Sequence, residues 1–238
     1  MTVTGRLALV AFDAPDIDKL ASFYTELTGW PEVRREAGWI DLRSPDGGLG
    51  VTFQLAPDHI APEWPGQKRP QQFHLDLLID GYQAAAERAV GLGATRLGEG
   101  PNWVTLADPA GHPFDVCQRD GVGPVMGLFA PAIDAPDAPA LARFYAALLG
   151  MEVTYEGSEG SFITGGGKSL MFQQVSDYNP PQWPDPAHPQ QAHLDIDVDD
   201  LDAGQARALE LGATRLAGEG RGFRVFADPA GHPFCLCV

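Results

Sequence analysis

Apolar and polar residues change period along this chain in a pattern that recurs. Leu7-Ala-Leu-Val-Ala-Phe12 is an apolar run of strand length, and Ala14-Pro15-Asp16 then supplies turn and helix-capping chemistry. Leu20, Phe23, Tyr24 and Leu27 follow at helical spacing and Gly29 offers a left-handed stop, which predicts a helix over residues 16–28. Trp39 to Leu42 and Leu49 to Leu55 read as strands, joined by a hairpin at Ser44-Pro-Asp-Gly-Gly48. The order is strand, helix, then two or three strands. His74 to Ile79, Gln83 to Leu92 and the strands around Trp103 and Phe114 run through it again.

The same blocks return in the second half. Phe12-Asp-Ala-Pro-Asp16 recurs as Ile133-Asp-Ala-Pro-Asp137, an offset of 133 − 12 = 121. His74-Leu-Asp76 recurs as His193-Leu-Asp195 (193 − 74 = 119), and Ala107-Asp-Pro-Ala-Gly-His-Pro-Phe114 returns unchanged as residues 227–234. So small a drift means few insertions, and it divides the chain into two copies of one domain. Residues 1–120 and 125–238 are the two domains, joined by the Gly121-Val-Gly-Pro124 linker. Within the first half, Trp39 to Pro45 aligns with Trp103 to Pro109, so each half contains two smaller units.

The ordered set of Phe-Tyr helix, His-Leu-Asp strand and late Asp-Pro-Ala-Gly-His-Pro-Phe hairpin resembles the vicinal oxygen chelate superfamily, which includes glyoxalases, bleomycin-resistance proteins and dioxygenases. The resemblance covers nearly the whole chain. It implies an α+β fold of two tandem glyoxalase-like domains, each a pair of βαβββ units forming a cupped mixed sheet with helices outside. The residues agree with such a cup. His193, Asp195 and Asp197 alternate with Leu194, Ile196 and Val198, which puts polar groups on one face and apolar groups on the other.

The resemblance also implies a metal site, built from a His on the first strand of a unit, a carboxylate on its last strand and the equivalent pair from the other unit. The first strands, read as Arg6 to Phe12 and Val125 to Ile133, contain no His. The fourth strands, Gly48 to Pro57 and Gly165 to Ser176, contain no Asp or Glu and offer Gln54 and Gln173 instead. His74 and His193 match the ligand position on the fifth strand, while Asp115 and Cys235 match it on the last strand of each half. The expectation is therefore at most two candidate ligands per half and no metal cofactor, with a divalent metal as the alternative.

The cup residues expected to meet a ligand are Gln54, His74 and Asp76 in the first half and Gln173, His193 and Asp195 in the second. Asp115 and Cys235 join them from the last strands, and Trp103 from the cup wall. Pro62-Glu-Trp-Pro65 and Pro181-Gln-Trp-Pro184 stiffen doubled loops that present Trp64 and Trp183, either as aromatic lids or as plugs over a sheet edge. His112 and His232 read as solvated turn residues.

Charge excludes one class of partner. There are 32 acidic against 16 basic residues, a formal charge of −16, with no basic run to attract a phosphate backbone. No apolar stretch is long enough for a membrane span. The three cysteines are an odd number, and Cys235 and Cys237 are spaced poorly for a disulfide, which suits a reducing cytoplasm. The fused halves favour a monomeric pseudo-dimer or a homodimer. The expected function is small-molecule binding of the sequestration or resistance type, without metal. The alternative is a lyase, isomerase or dioxygenase-type enzyme, metal-dependent or using His/Asp acid–base chemistry.

Overall fold

The computed structural model describes residues 5–45 and 47–238, the side chain of Glu219 excepted; Asp46 of the expected hairpin lies outside them. Four βαβββ units follow one another. The first contains β1 (Arg6–Ala14), α1 (Ile17–Thr28), β2 (Glu32–Glu36), β3 (Trp39–Arg43) and β4 (Gly50–Leu55). The second contains β5 (Phe73–Ile79), α2 (Tyr82–Gly91), β6 (Thr95–Glu99), β7 (Trp103–Ala107) and β8 (Pro113–Gln118). The third contains β9 (Gly127–Ala135), α3 (Ala138–Leu149), β10 (Glu152–Glu156), β11 (Gly160–Gly165) and β12 (Lys168–Gln174). The fourth contains β13 (Ala192–Asp197), α4 (Leu201–Glu210), β14 (Thr214–Gly220), β15 (Phe223–Ala227) and β16 (Pro233–Cys237).

The units behave locally as their residues dictate. Asp16 and Asp137 cap α1 and α3 by accepting from the backbone N–H of Lys19 and Ala140. Gly29 and Gly150 end these helices at φ of 79° and 65°, where a side chain would be strained. Each helix covers one face of its sheet, and Tyr24 stacks on Phe53 as Tyr145 stacks on Phe172.

The α+β class and the two mixed sheets are as expected, but the units pair across the halves. Sheet A runs β14-β15-β16-β13-β1-β4-β3-β2, joining the fourth unit to the first. Sheet B runs β10-β11-β12-β9-β5-β8-β7-β6, joining the third unit to the second. The seams are antiparallel: β1 on β13, with Ala11 opposite His193, and β5 on β9, with His74 opposite Ala132. A cup is therefore shared between the two sequence repeats rather than owned by one.

Candidate functional site

The concave face of sheet B carries a cavity of about 600 Å³. Period-2 alternation on β5 turns Leu75 and Leu77 into the core and leaves His74 and Asp76 in the cup. On β8, Asp115 and Cys117 reach the same space, and Asp115 stands beside Asp76 in parallel register. Trp103 comes from β7 of the same unit. The third unit supplies the opposite wall with Phe129, Tyr155, Phe162, Met171 and Gln173. Phe129 and Phe162 stack there, their ring centroids 5.0 Å apart.

Five of the expected site residues thus meet in one cavity: His74, Asp76, Trp103, Asp115 and Gln173. Gln173 does so across the halves. Gln54 is correspondingly parted from His74 and stands in sheet A beside Asp13 and Trp39. His193, Asp195 and Cys235 gather in the cup of sheet A. Trp64 and Trp183 are half-buried and neither walls the sheet B cavity. Trp64 lies over Gly98 of β6, where even a methyl group would sit 3.4 Å from the ring. The indole packs on that edge of the sheet, so the cavity's aromatic surface comes from its walls and not from a Trp64 lid.

Each cup gains a third potential ligand over the expected two. Ligand atoms of His74, Asp76 and Asp115 lie within 4.8 Å of one another, and so do those of His193, Asp195 and Cys235. Strand spacing explains the addition, because i and i+2 share a face. Both sets fit a divalent cation chemically: one imidazole with two carboxylates suits an oxygen-loving ion, and the cysteine-containing set a softer one.

The first strands also contribute carboxylates. β1 and β9 extend past the expected ends at Phe12 and Ile133 to Ala14 and Ala135, which brings Asp13 and Asp134 into the sheets as buried groups. Gln190 donates to both oxygens of Asp13 at 3.1 Å and lies 2.9 Å from Nδ1 of His193. In sheet B, Gln71 and Gln173 donate to Asp134 at 3.2–3.3 Å, and Nδ1 of His74 has no partner. The Asp-Ala-Pro-Asp blocks read as turns, which hid these two acids. Their recurrence in both halves was the available signal.

Electrostatics separates the cups. Burial holds His74 down at about 4 and pushes Asp76 up to about 7, with the neighbouring Asp115 adding to the rise. Asp115 is pushed up to about 6 by burial, against a hydrogen bond from Thr105, and its Oδ1 is buried without a partner. Burial likewise lifts Asp134 to about 7, opposed by Gln71 and His232. At neutral pH the floor of sheet B therefore offers a neutral imidazole and carboxyl groups that share protons. In sheet A burial pulls His193 down, but the hydrogen bond and charge of Asp195, with the charge of Asp13, outweigh it and raise His193. Burial and Asp195 push the Cys235 thiol up.

His112 and His232 are not solvated. Both are buried in the β7–β8 and β15–β16 turns, where the carboxylates of Asp108 and Asp228 take their Nδ1 as well as the backbone N–H groups of residues 110 and 112, or 230 and 232. These histidines hold the turns and lie outside the cavity walls.

Comparison with known proteins supports the same architecture. The chain covers 98% of its length against glyoxalase I from Zea mays, at 17% identity, 92% of that chain and a TM-score of 0.65. A candidate dioxygenase from Bacillus subtilis matches the whole chain at 13% identity and a TM-score of 0.62, over 86% of its own length. The cppA protein from Streptococcus pneumoniae matches over 98% of both chains at 12% identity and a TM-score of 0.52. At such identities the likeness is one of fold. No match was found among curated protein sequences. The sequence model of the glyoxalase-like domain matches twice, over residues 9–117 and 130–237. The chain therefore belongs to the glyoxalase-like domain family of the vicinal oxygen chelate superfamily, with two tandem copies of the domain.

Proposed function

We propose that the sheet B cup binds a flat organic molecule with a cationic or hydrogen-bonding head, in the manner of a sequestering protein and without need of a metal. The observation that carries this reading is the composition of the cavity. Trp103, Phe129, Tyr155 and Phe162 supply ring faces, Asp76, Asp115 and Glu159 supply carboxyl groups, and no Lys or Arg joins them in the walls. Ring faces and carboxyl groups both favour a positive group, and about 600 Å³ suits a drug-sized body.

The cluster of His74, Asp76 and Asp115 favours a second reading, an enzyme of lyase, isomerase or dioxygenase type working through a divalent metal on those three groups. Calorimetric titration with matched cationic and anionic aromatic probes, before and after chelation, separates the two. Binding of the cationic probe that survives chelation, and weakens about 2- to 30-fold in Trp103→Ala, supports the first reading. Binding that disappears with the chelated metal supports the second.

A further inference from the structure

The doubled Pro-Gln-Gln segments that lead into β5 and β13 carry four amides, and the cups use two of them. Gln71 and Gln190 hold Asp134 and Asp13. Their neighbours Gln72 and Gln191 line a separate cavity of about 180 Å³, enclosed by the loops that precede β5 and β13. Both halves wall it, and Asn179 ties them together by donating from Nδ2 to the carbonyl of Gln67 at 3.1 Å. Pro70, Pro180, Pro181 and Pro189 stiffen the walls.

The two equivalent amides differ in their bonding. Gln191 is engaged at both ends: its Oε1 accepts from the backbone N–H of Gln72 at 3.2 Å, and its Nε2 donates to the carbonyl of Pro70 at 3.0 Å. Gln72 is only 9% exposed, yet its Oε1 is buried without a partner. A buried acceptor left unpaired is costly, so this position favours a ligand that brings a donor. Charge adds a second requirement. Lys68, Arg69 and His188 line the cavity and no Asp or Glu does, in a chain of net charge −16. Arg69 is held by Glu63 and the carbonyl of Ala61, and His188 by Asp185. Lys68 has no partner among the described residues. A free ammonium near a buried acceptor selects a ligand that is anion and donor at once.

We infer that this cavity between the loops is a site for hydrogen phosphate, whose charge meets Lys68 and whose remaining P–OH donates to Oε1 of Gln72. It shares no wall residue with the organic ligand cavity of sheet B. Sulfate has the same shape and charge above neutrality but no hydroxyl, and a phosphate monoester has lost its proton there. A site built around an acceptor rejects ions that lack the donor.

Calorimetric titration of the full-length chain with inorganic phosphate, sulfate and methyl phosphate, just above neutral pH and at constant ionic strength, tests the inference. Phosphate should bind saturably, and the other two about 5- to 150-fold more weakly. Gln72→Met should bring phosphate down to the level of sulfate, and Lys68→Gln should weaken both about 2- to 5-fold. Trp103→Ala, in the sheet B cavity, should change neither. Absence of phosphate binding, or sulfate or methyl phosphate binding as tightly as phosphate, overturns the inference. A preference for phosphate that survives Gln72→Met, or affinities untouched by Lys68→Gln, overturns it too. If Gln72→Met does not fold, the comparison of the three ions on the unmodified chain, with the Lys68→Gln result, decides.

Discussion

His59 and His112 lie with ring centroids 4.8 Å apart, and Nδ1 of the one and Nε2 of the other are both buried without a hydrogen-bond partner. The second half solves the same corner differently. Tyr178 takes the place of His59, donates to the carbonyl of Ala230 at 2.7 Å and sets its hydroxyl 3.1 Å from Nε2 of His232. His59→Tyr should therefore give Nε2 of His112 its missing partner and stabilise the chain by about 1 kcal/mol, or about 2–4 °C in Tm. Burial and His112 lower His59 from its ordinary 6.5 to about 4. The unfolded chain takes up this proton before the folded one does, so the stability it contributes is full above 6.5 and lost as pH falls towards 4. The advantage of the tyrosine variant should grow over that window in thermal melts. An advantage that shrinks on acidification would contradict the assignment.

Asp76 has the opposite pH signature. Burial, then Asp115, moves it from 3.8 to about 7, so the folded chain holds this proton where the unfolded chain has lost it. Its contribution is full below 3.8 and disappears as pH rises through 7. In chelated protein, Asp76→Asn should leave stability near pH 4 little changed and raise it by about 1–3 kcal/mol above pH 7, as read from urea midpoints. A gain equal at both ends would place the effect in packing instead of charge.

The buried carboxylates of the turns tie unit to unit. Tyr24 of α1 donates to Asp108 at 3.1 Å, and Tyr145 of α3 donates to Asp228 at 2.9 Å. Hydrogen bonds to charged acceptors contribute about 1.5–3 kcal/mol, so Tyr24→Phe and Tyr145→Phe should each lower unfolding free energy by that amount. Denaturant titration of the two variants should give similar losses. A loss confined to one would contradict the equivalence of the two turns.

What was readable beforehand follows from where the side chains carry information. α1 was legible because Asp16, the Leu20-Phe23-Tyr24-Leu27 stripe and Gly29 mark its start, face and end. β2 was not, because all of Glu32 to Glu36 are exposed and no alternation betrays a strand. His74, Asp76 and Asp115 could be placed in a cup because alternation decides faces. Asp13 and Asp134 escaped because strand backbone continues through residues that otherwise cap a turn. Pairing across the halves was invisible for a stronger reason. The edges of β1, β5, β9 and β13 present backbone groups, and in near-identical units those groups do not specify which copy they meet.

That cross-pairing makes a prediction about the halves. In the intact chain β1 is covered by β13 and β5 by β9, and Gly5 and Trp30 also bond to the backbone at Leu148 and Met126 of the second half. A fragment of residues 1–120 leaves the inner edges of β1 and β5 open, and a fragment of 125–238 leaves those of β9 and β13 open. Open edges of central strands recruit other chains. Each fragment alone should therefore self-associate, as dimer or aggregate, in light scattering coupled to size exclusion. Refolded together they should form a one-to-one complex that regains the near-ultraviolet circular dichroism of the intact chain. Two stable monomers that ignore each other would mean that each half closes its own sheet, contrary to pairing across the halves.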